Sequence, residues 1–154
     1  MQEIKDFESV DDILDFAIDR EQEAVDFYTE VAAKVEKQWM AKIFTQYAKE
    51  EKGHKAKLQA IKKGEKLLAA RDKVIDLKIG DYLADVEVGE AMSYQQILIV
   101  AMKREKMAFK LYNDLADKVD EPTVKDLFYA LAQEEAKHKL RFEVEYDEVI
   151  LKDN

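Results

Sequence analysis

Glu21, Glu51, His54, Glu105, Glu135 and His138 form two matching sets of three. Residues 9–58 reappear at residues 93–142, displaced by 84 positions without a gap, which carries Glu21 onto Glu105, Glu51 onto Glu135 and His54 onto His138. The chain has only two histidines, and they are mates in this repeat. Of the 50 aligned pairs 17 are identical, among them Ala17/Ala101, Arg20/Arg104, Ala24/Ala108, Tyr28/Tyr112 and Phe44/Phe128. Four acids and two histidines at mirrored positions read as a two-metal site built by duplication. Mixed carboxylate and imidazole donors suit iron or manganese, whereas magnesium and calcium prefer oxygen alone. Zinc could occupy such a site but has no redox chemistry.

These residues need elements that aim them at one point. Read at steps of three and four, Leu14, Ala17, Glu21, Ala24, Tyr28, Val31 and Val35 share one helix face. Met40, Phe44, Tyr47, Glu51, His54, Leu58 and Ile61 share a second face. Leu98, Ala101, Glu105, Ala108, Tyr112, Leu115 and Val119 make a third, and Val124, Phe128, Leu131, Glu135, His138 and Phe142 a fourth. Each stripe is apolar at its ends and ionisable in the middle. Helices are expected over about 9–36, 38–63, 92–119 and 121–150. Ser93 with Gln96 spells a capping box and Ser9 with Asp12 a near relative. Pro122 suits a first helical turn. The short breaks make helices 1 and 2, and helices 3 and 4, antiparallel hairpins.

Residues 64–91 read as one long crossover, with a short helix near Asp81–Ala84. A helix of about 25 residues is roughly 37 Å long, and a connection of this length can return the chain along the full height of a bundle. The expectation is a single all-α domain over 1–154, an antiparallel four-helix bundle.

Four carboxylates at one level of a core would repel one another and lose hydration, at a cost of several kcal/mol for each buried charge. No Lys or Arg lies on the four stripes to neutralise them. Two divalent cations would bring +4 against −4 with both histidines neutral. The alternative is a solvated or protonated polar layer, and the coincidence of both histidines with the repeat argues against it. Glu50 and Glu134 also precede the histidines but fall on the flank, where they can support the ligands. Tyr28 and Tyr112 either pack in the core or donate to ligand carboxylates. Trp39 at a helix start reads as packing, and Arg20 and Arg104 as partners of flanking acids.

The 154 residues contain no cysteine, which excludes disulfides, zinc–thiolate knuckles and iron–sulfur clusters within them. A net charge of −9 argues against nucleic acid. The first residues lack the apolar core of a signal peptide, and no stretch is apolar long enough to span a bilayer. A soluble, cytoplasmic protein is the expectation.

The pattern Glu21-x-x-Ala24-x-x-x-Tyr28, Glu51-x-x-His54, Glu105-x-x-Ala108-x-x-x-Tyr112 and Glu135-x-x-His138 resembles the ferritin-like di-iron carboxylate superfamily, and most closely its rubrerythrin-type members. The resemblance covers nearly the whole chain and implies the ferritin-like bundle with its long crossover between helices 2 and 3. It implies two iron ions, with Glu21 and Glu105 as terminal ligands on separate metals. Glu51 and Glu135 would bridge, and His54 and His138 would each bind one metal. Rubrerythrins usually carry a rubredoxin-like module with four cysteines, and this chain has none, so electrons would come from an external donor such as a separate rubredoxin-like protein. They also usually carry a further glutamate where this chain has Ala108, so the ligand switching of their peroxidase chemistry is not implied here. The ligand set is also similar to that of bacterioferritin, but Lys52 stands where that family's haem-binding methionine is expected. Little chain follows helix 4 for the fifth helix of a ferritin cage.

The expected function is a di-iron oxidoreductase of oxidative-stress defence that reduces hydrogen peroxide or dioxygen with outside electrons. The alternative is a ferroxidase or iron-binding protein of storage or detoxification. A homodimer is the expected assembly, with no membrane and no nucleic-acid partner.

Overall fold

The computed structural model describes residues 9–65, 77–84 and 92–153. Among the described residues there are four α-helices: α1 (Val10–Lys34), α2 (Gln38–Lys63), α3 (Tyr94–Lys118) and α4 (Pro122–Asp153). A 3₁₀ turn, Ile79–Tyr82, lies between α2 and α3, and there is no strand among the described residues.

Local chemistry sets the helix ends. Ser9 and Ser93 have extended backbones and stand just outside their helices, so α1 and α3 begin one residue after each cap. The Ser9 hydroxyl accepts from the Asp12 N–H at 3.1 Å. At α3 both halves of the capping box form: the Gln96 N–H donates to Ser93 at 3.2 Å, and the Ser93 N–H donates to the Gln96 side chain at 2.8 Å. Pro122 is the first residue of α4, and the Glu121 carboxylate accepts the Val124 N–H at 2.8 Å. Residues 143–153 hold neither Gly nor Pro to stop a helix, and α4 continues past 150 to Asp153.

The three-residue breaks at 35–37 and 119–121 fold α1 against α2 and α3 against α4, and these hairpins carry most of the packing. Two apolar layers define how the hairpins meet. One joins the start of α1 (Ile13, Leu14, Ala17), the end of α2 (Leu58, Ile61), the end of α3 (Tyr112, Leu115) and the start of α4 (Val124, Phe128). The other joins the end of α1 (Tyr28, Val31), the start of α2 (Met40, Phe44), the start of α3 (Leu98, Ala101) and Phe142 of α4. Thus α1 runs antiparallel to α3, and α2 to α4. The result is an all-α, ferritin-like four-helix bundle.

This topology puts the end of α2 and the start of α3 at opposite ends, so the connection must travel the height of the bundle. Much of that crossover, residues 66–76 and 85–91, lies outside the described residues. The described part holds the 3₁₀ turn a little before the short helix expected at Asp81–Ala84. Leu77 and Tyr82 pack into the first apolar layer, and the Tyr82 hydroxyl donates to Asp114 of α3 at 2.7 Å. Among the described residues no helix is long and apolar enough to cross a membrane.

Candidate metal centre

Between the two apolar layers sits one polar level. Glu21 of α1, Glu51 and His54 of α2, Glu105 of α3, and Glu135 and His138 of α4 are each at most 3% exposed. One ligand atom from each of Glu21, Glu51, His54 and Glu135 lies within 4.8 Å of the others. The same holds for Glu51, Glu105, Glu135 and His138. Glu51 and Glu135 belong to both groups, so the six residues expected from the repeat form two cation-sized clusters sharing two carboxylates. Ligands on opposite sides of one ion, at bond lengths near 2.1 Å, stand about 4.2 Å apart, so small side-chain adjustments would close each group on an ion.

The hydrogen bonds around these residues cross between repeats. Tyr28 of α1 donates to Glu105 of α3, and Tyr112 of α3 donates to Glu21 of α1. Nε2 of His54 is paired with Glu134 of α4, and Nε2 of His138 lies 3.1 Å from Glu50 of α2. A carboxylate only accepts, so each Nε2 carries a hydrogen, which leaves each Nδ1 as the ring nitrogen that can take a metal or a further proton. Both Nδ1 atoms face inward: His54 Nδ1 is 2.8 Å from Glu135 and 3.4 Å from Glu51, and His138 Nδ1 is 3.2 Å from Glu51 and 3.6 Å from Glu105.

These inward atoms are the test of fit. Every one of the six residues keeps a buried atom without a hydrogen-bond partner: Oε2 of Glu21 and Glu105, Oε1 of Glu51 and Glu135, and Nδ1 of His54 and His138. Buried polar groups are normally paired, because an unpaired one costs about 1–3 kcal/mol. Four of these atoms, Nδ1 of both histidines and Oε1 of Glu51 and Glu135, face one another directly and need a cation or protons between them. Without metal, protons take that role. Burial, then the charges of Glu21 and Glu105, push Glu51 well above the usual carboxylate range. Burial, then Glu105, Glu51 and Glu21, do the same to Glu135. Burial opposes charge on His54, yet Glu21, Glu51 and Glu134 outweigh it and raise the ring to about 9. Burial likewise opposes charge on His138, and Glu105 and Glu51 raise it to about 10. The residues fit a pair of divalent ions, which would replace these protons.

The structure settles the two readings open for Tyr28 and Tyr112: both pack in the apolar layers and both donate to a candidate ligand. Burial, with the neighbouring carboxylates, keeps both hydroxyls protonated far above their ordinary range. Glu50 and Glu134 do support the histidines, each from the opposite hairpin. Arg20 pairs with Glu23 at 2.8 Å as expected. Arg104 lies over the Phe27 ring at 5.0 Å. Trp39 is not core packing: it is 43% exposed, with Lys37 and Arg141 against its ring, because its position on α2 lies off the apolar stripe.

Two residues escaped the sequence pattern. Tyr47 counts as an apolar stripe member, yet its ring stacks on His138 with centroids 3.7 Å apart. Glu145 is 1% exposed. It accepts from Lys37 at 2.7 Å and from the Tyr94 hydroxyl at 2.8 Å, tying the α1–α2 break and the start of α3 to α4. Extending the α4 stripe three residues past Phe142 would have found it.

A cavity of about 160 Å³ reaches the cluster from the side of α1 and α3. Ala24 and Ala108, one turn beyond Glu21 and Glu105, line it, and the Tyr82–Ala84 segment covers part of it.

The rubrerythrin family model matches residues 12–146, which span all six candidate ligands. Neither a curated protein nor a solved structure matches the chain significantly. The family and the buried carboxylate–histidine cluster together point to a di-iron-type metal centre. By a match that covers most of its length, on a bundle whose six buried donors converge, this chain belongs to the rubrerythrin family.

Proposed function

We propose that the chain is a di-iron oxidoreductase that reduces hydrogen peroxide or dioxygen with electrons from a separate redox protein. Glu21 and His54 would hold one iron, Glu105 and His138 the other, and Glu51 and Glu135 both. Iron bound there supplies redox equivalents and Lewis acidity. The observation that carries this reading is the convergence of six unpartnered buried donor atoms.

The remaining work belongs to the protein. Tyr28 and Tyr112 anchor Glu105 and Glu21, the two carboxylates that would each hold one metal, and their hydroxyls are donors that stay protonated. Glu50 and Glu134 hold Nε2 of the histidines, so that Nδ1 is the nitrogen that would bind metal. The apolar layers above and below exclude water, which strengthens each electrostatic contact within. The cavity beside Ala24 and Ala108 gives an oxidant a path to the cluster. These residues hold no cysteine for an iron–sulfur centre of their own, and the reading takes its electrons from a separate donor.

Stopped-flow oxidation of the anaerobically reconstituted ferrous protein tests the reading. Faster oxidation by hydrogen peroxide than by dioxygen, with catalytic turnover when an electron donor is added, is the expected result. Fast oxidation by dioxygen with no donor-dependent turnover would replace it with a ferroxidase.

A further inference from the structure

The cavity at the cluster has features that an oxidant path does not need. Its volume, about 160 Å³, is close to the roughly 150 Å³ in which benzene is bound in an engineered protein cavity. Hydrogen peroxide and dioxygen are far smaller. One wall is apolar, formed by Ala24, Ala108, Met107 and Leu111. Arg20 and Arg104 also line it. The Arg20 Nε is buried and has no hydrogen-bond partner, although its Nη2 is engaged by Glu23. Outside the six cluster residues, the only other such atom among the described residues is on Glu145, in the other apolar half of the bundle. The Arg104 guanidinium rests on Phe27, and a guanidinium stacked on a ring by its face carries its N–H donors in its edge.

We propose that this cavity binds a small organic anion beside the metal centre, its acidic oxygens held by Arg20 and Arg104 and its apolar body against Ala24, Ala108, Met107 and Leu111. This goes beyond the oxidoreductase reading, since neither hydrogen peroxide nor dioxygen carries a charge for the two arginines to hold. It depends on that reading in one respect: the four carboxylates at the inner end repel an anion unless metal compensates them. The repeat is consistent with such a site, because both arginines and both alanines are mates that stayed identical.

The test is calorimetric titration of the zinc-reconstituted protein, in which no redox turnover occurs, with benzoate and with benzamide, its uncharged analogue. Benzoate is expected to bind saturably and at least tenfold more tightly than benzamide. Arg104→Gln should erase that preference, and Ala108→Leu, which fills the cavity, should abolish both. Circular dichroism on each variant confirms that the bundle persists. Absence of saturable benzoate binding, equal affinity for benzamide, or binding untouched by Ala108→Leu would each overturn the proposal. Zinc content of the same samples separates the two readings. A chain that takes up no zinc loses the metal reading. It loses the cavity site with it, because the uncompensated carboxylates then repel the anion, whereas a chain that holds two zinc ions and binds no benzoate loses the cavity site alone.

Discussion

The ring of Tyr47 on α2 stacks on the ring of His138 on α4, with centroids 3.7 Å apart and planes 21° from parallel. The repeat mate of Tyr47 is Leu131, which has no ring to offer His54. The two halves of the centre therefore differ although their six donors match. An aromatic pair contributes about 0.5–1.5 kcal/mol beyond area burial, so Tyr47→Leu should weaken metal at the His138 side by roughly two- to twelvefold. Stepwise cobalt titration followed by absorbance should show two unequal sites in the native chain and more nearly equal ones in the variant. Two equal sites in the native chain would remove this role for Tyr47.

Tyr28→Phe and Tyr112→Phe keep the buried ring and delete one hydroxyl. Each frees a carboxylate that the hydroxyl held, Glu105 or Glu21. Loss of such a supporting contact commonly costs 10–100-fold in metal affinity. Both variants should stay folded and lose iron faster to a chelator than the native chain. Unchanged release rates would mean that the hydroxyls only fill space.

The metal-free protein should lose stability as pH rises from about 7 to 10. His54 and His138 hold their protons to about 9 and about 10 in the folded state, against about 6.5 in an unfolded chain. A pKa raised by folding gives stability that is fully present below the unfolded value and is lost as pH rises through the folded one. With metal on Nδ1 no proton titrates there, so the metal-loaded protein should not show this fall. Thermal melts of both forms across that range check the contrast.

Glu145→Ala should destabilise the bundle by about 1–3 kcal/mol without changing metal content, because the Tyr94 hydroxyl and the Lys37 ammonium lose their acceptor. Chemical denaturation and metal analysis of the same variant test both halves of the statement. Loss of metal in Glu145→Ala would couple this contact to the centre.

Much of the fold was legible because its elements agree at several levels. The stripes through Leu14, Met40, Leu98 and Val124 end in apolar residues that the structure buries, save the half-buried Val35, and Ser9, Ser93 and Pro122 mark helix starts in sequence as in space. The six cluster residues stood out through the repeat, since a duplicated pattern reports positions that a single Glu-x-x-His cannot. Other features were not legible, for physical reasons. Tyr47 looks like any core aromatic, and only the crossing of α2 against α4 puts it on His138. The partners of Glu50 and Glu134 depend on which hairpin faces which, a long-range relation with no local signal. The cavity exists because Ala24, Ala108 and the Tyr82–Ala84 segment meet, and no periodicity encodes that meeting.

Iron content after anaerobic reconstitution and desalting tests the central claim most directly. The native chain should retain two irons, Glu51→Ala and Glu135→Ala should lose both because each removes a shared carboxylate, and His138→Ala should lose at least one. A native chain that retains no iron, or a Glu51→Ala variant that keeps two with full turnover, would contradict the account.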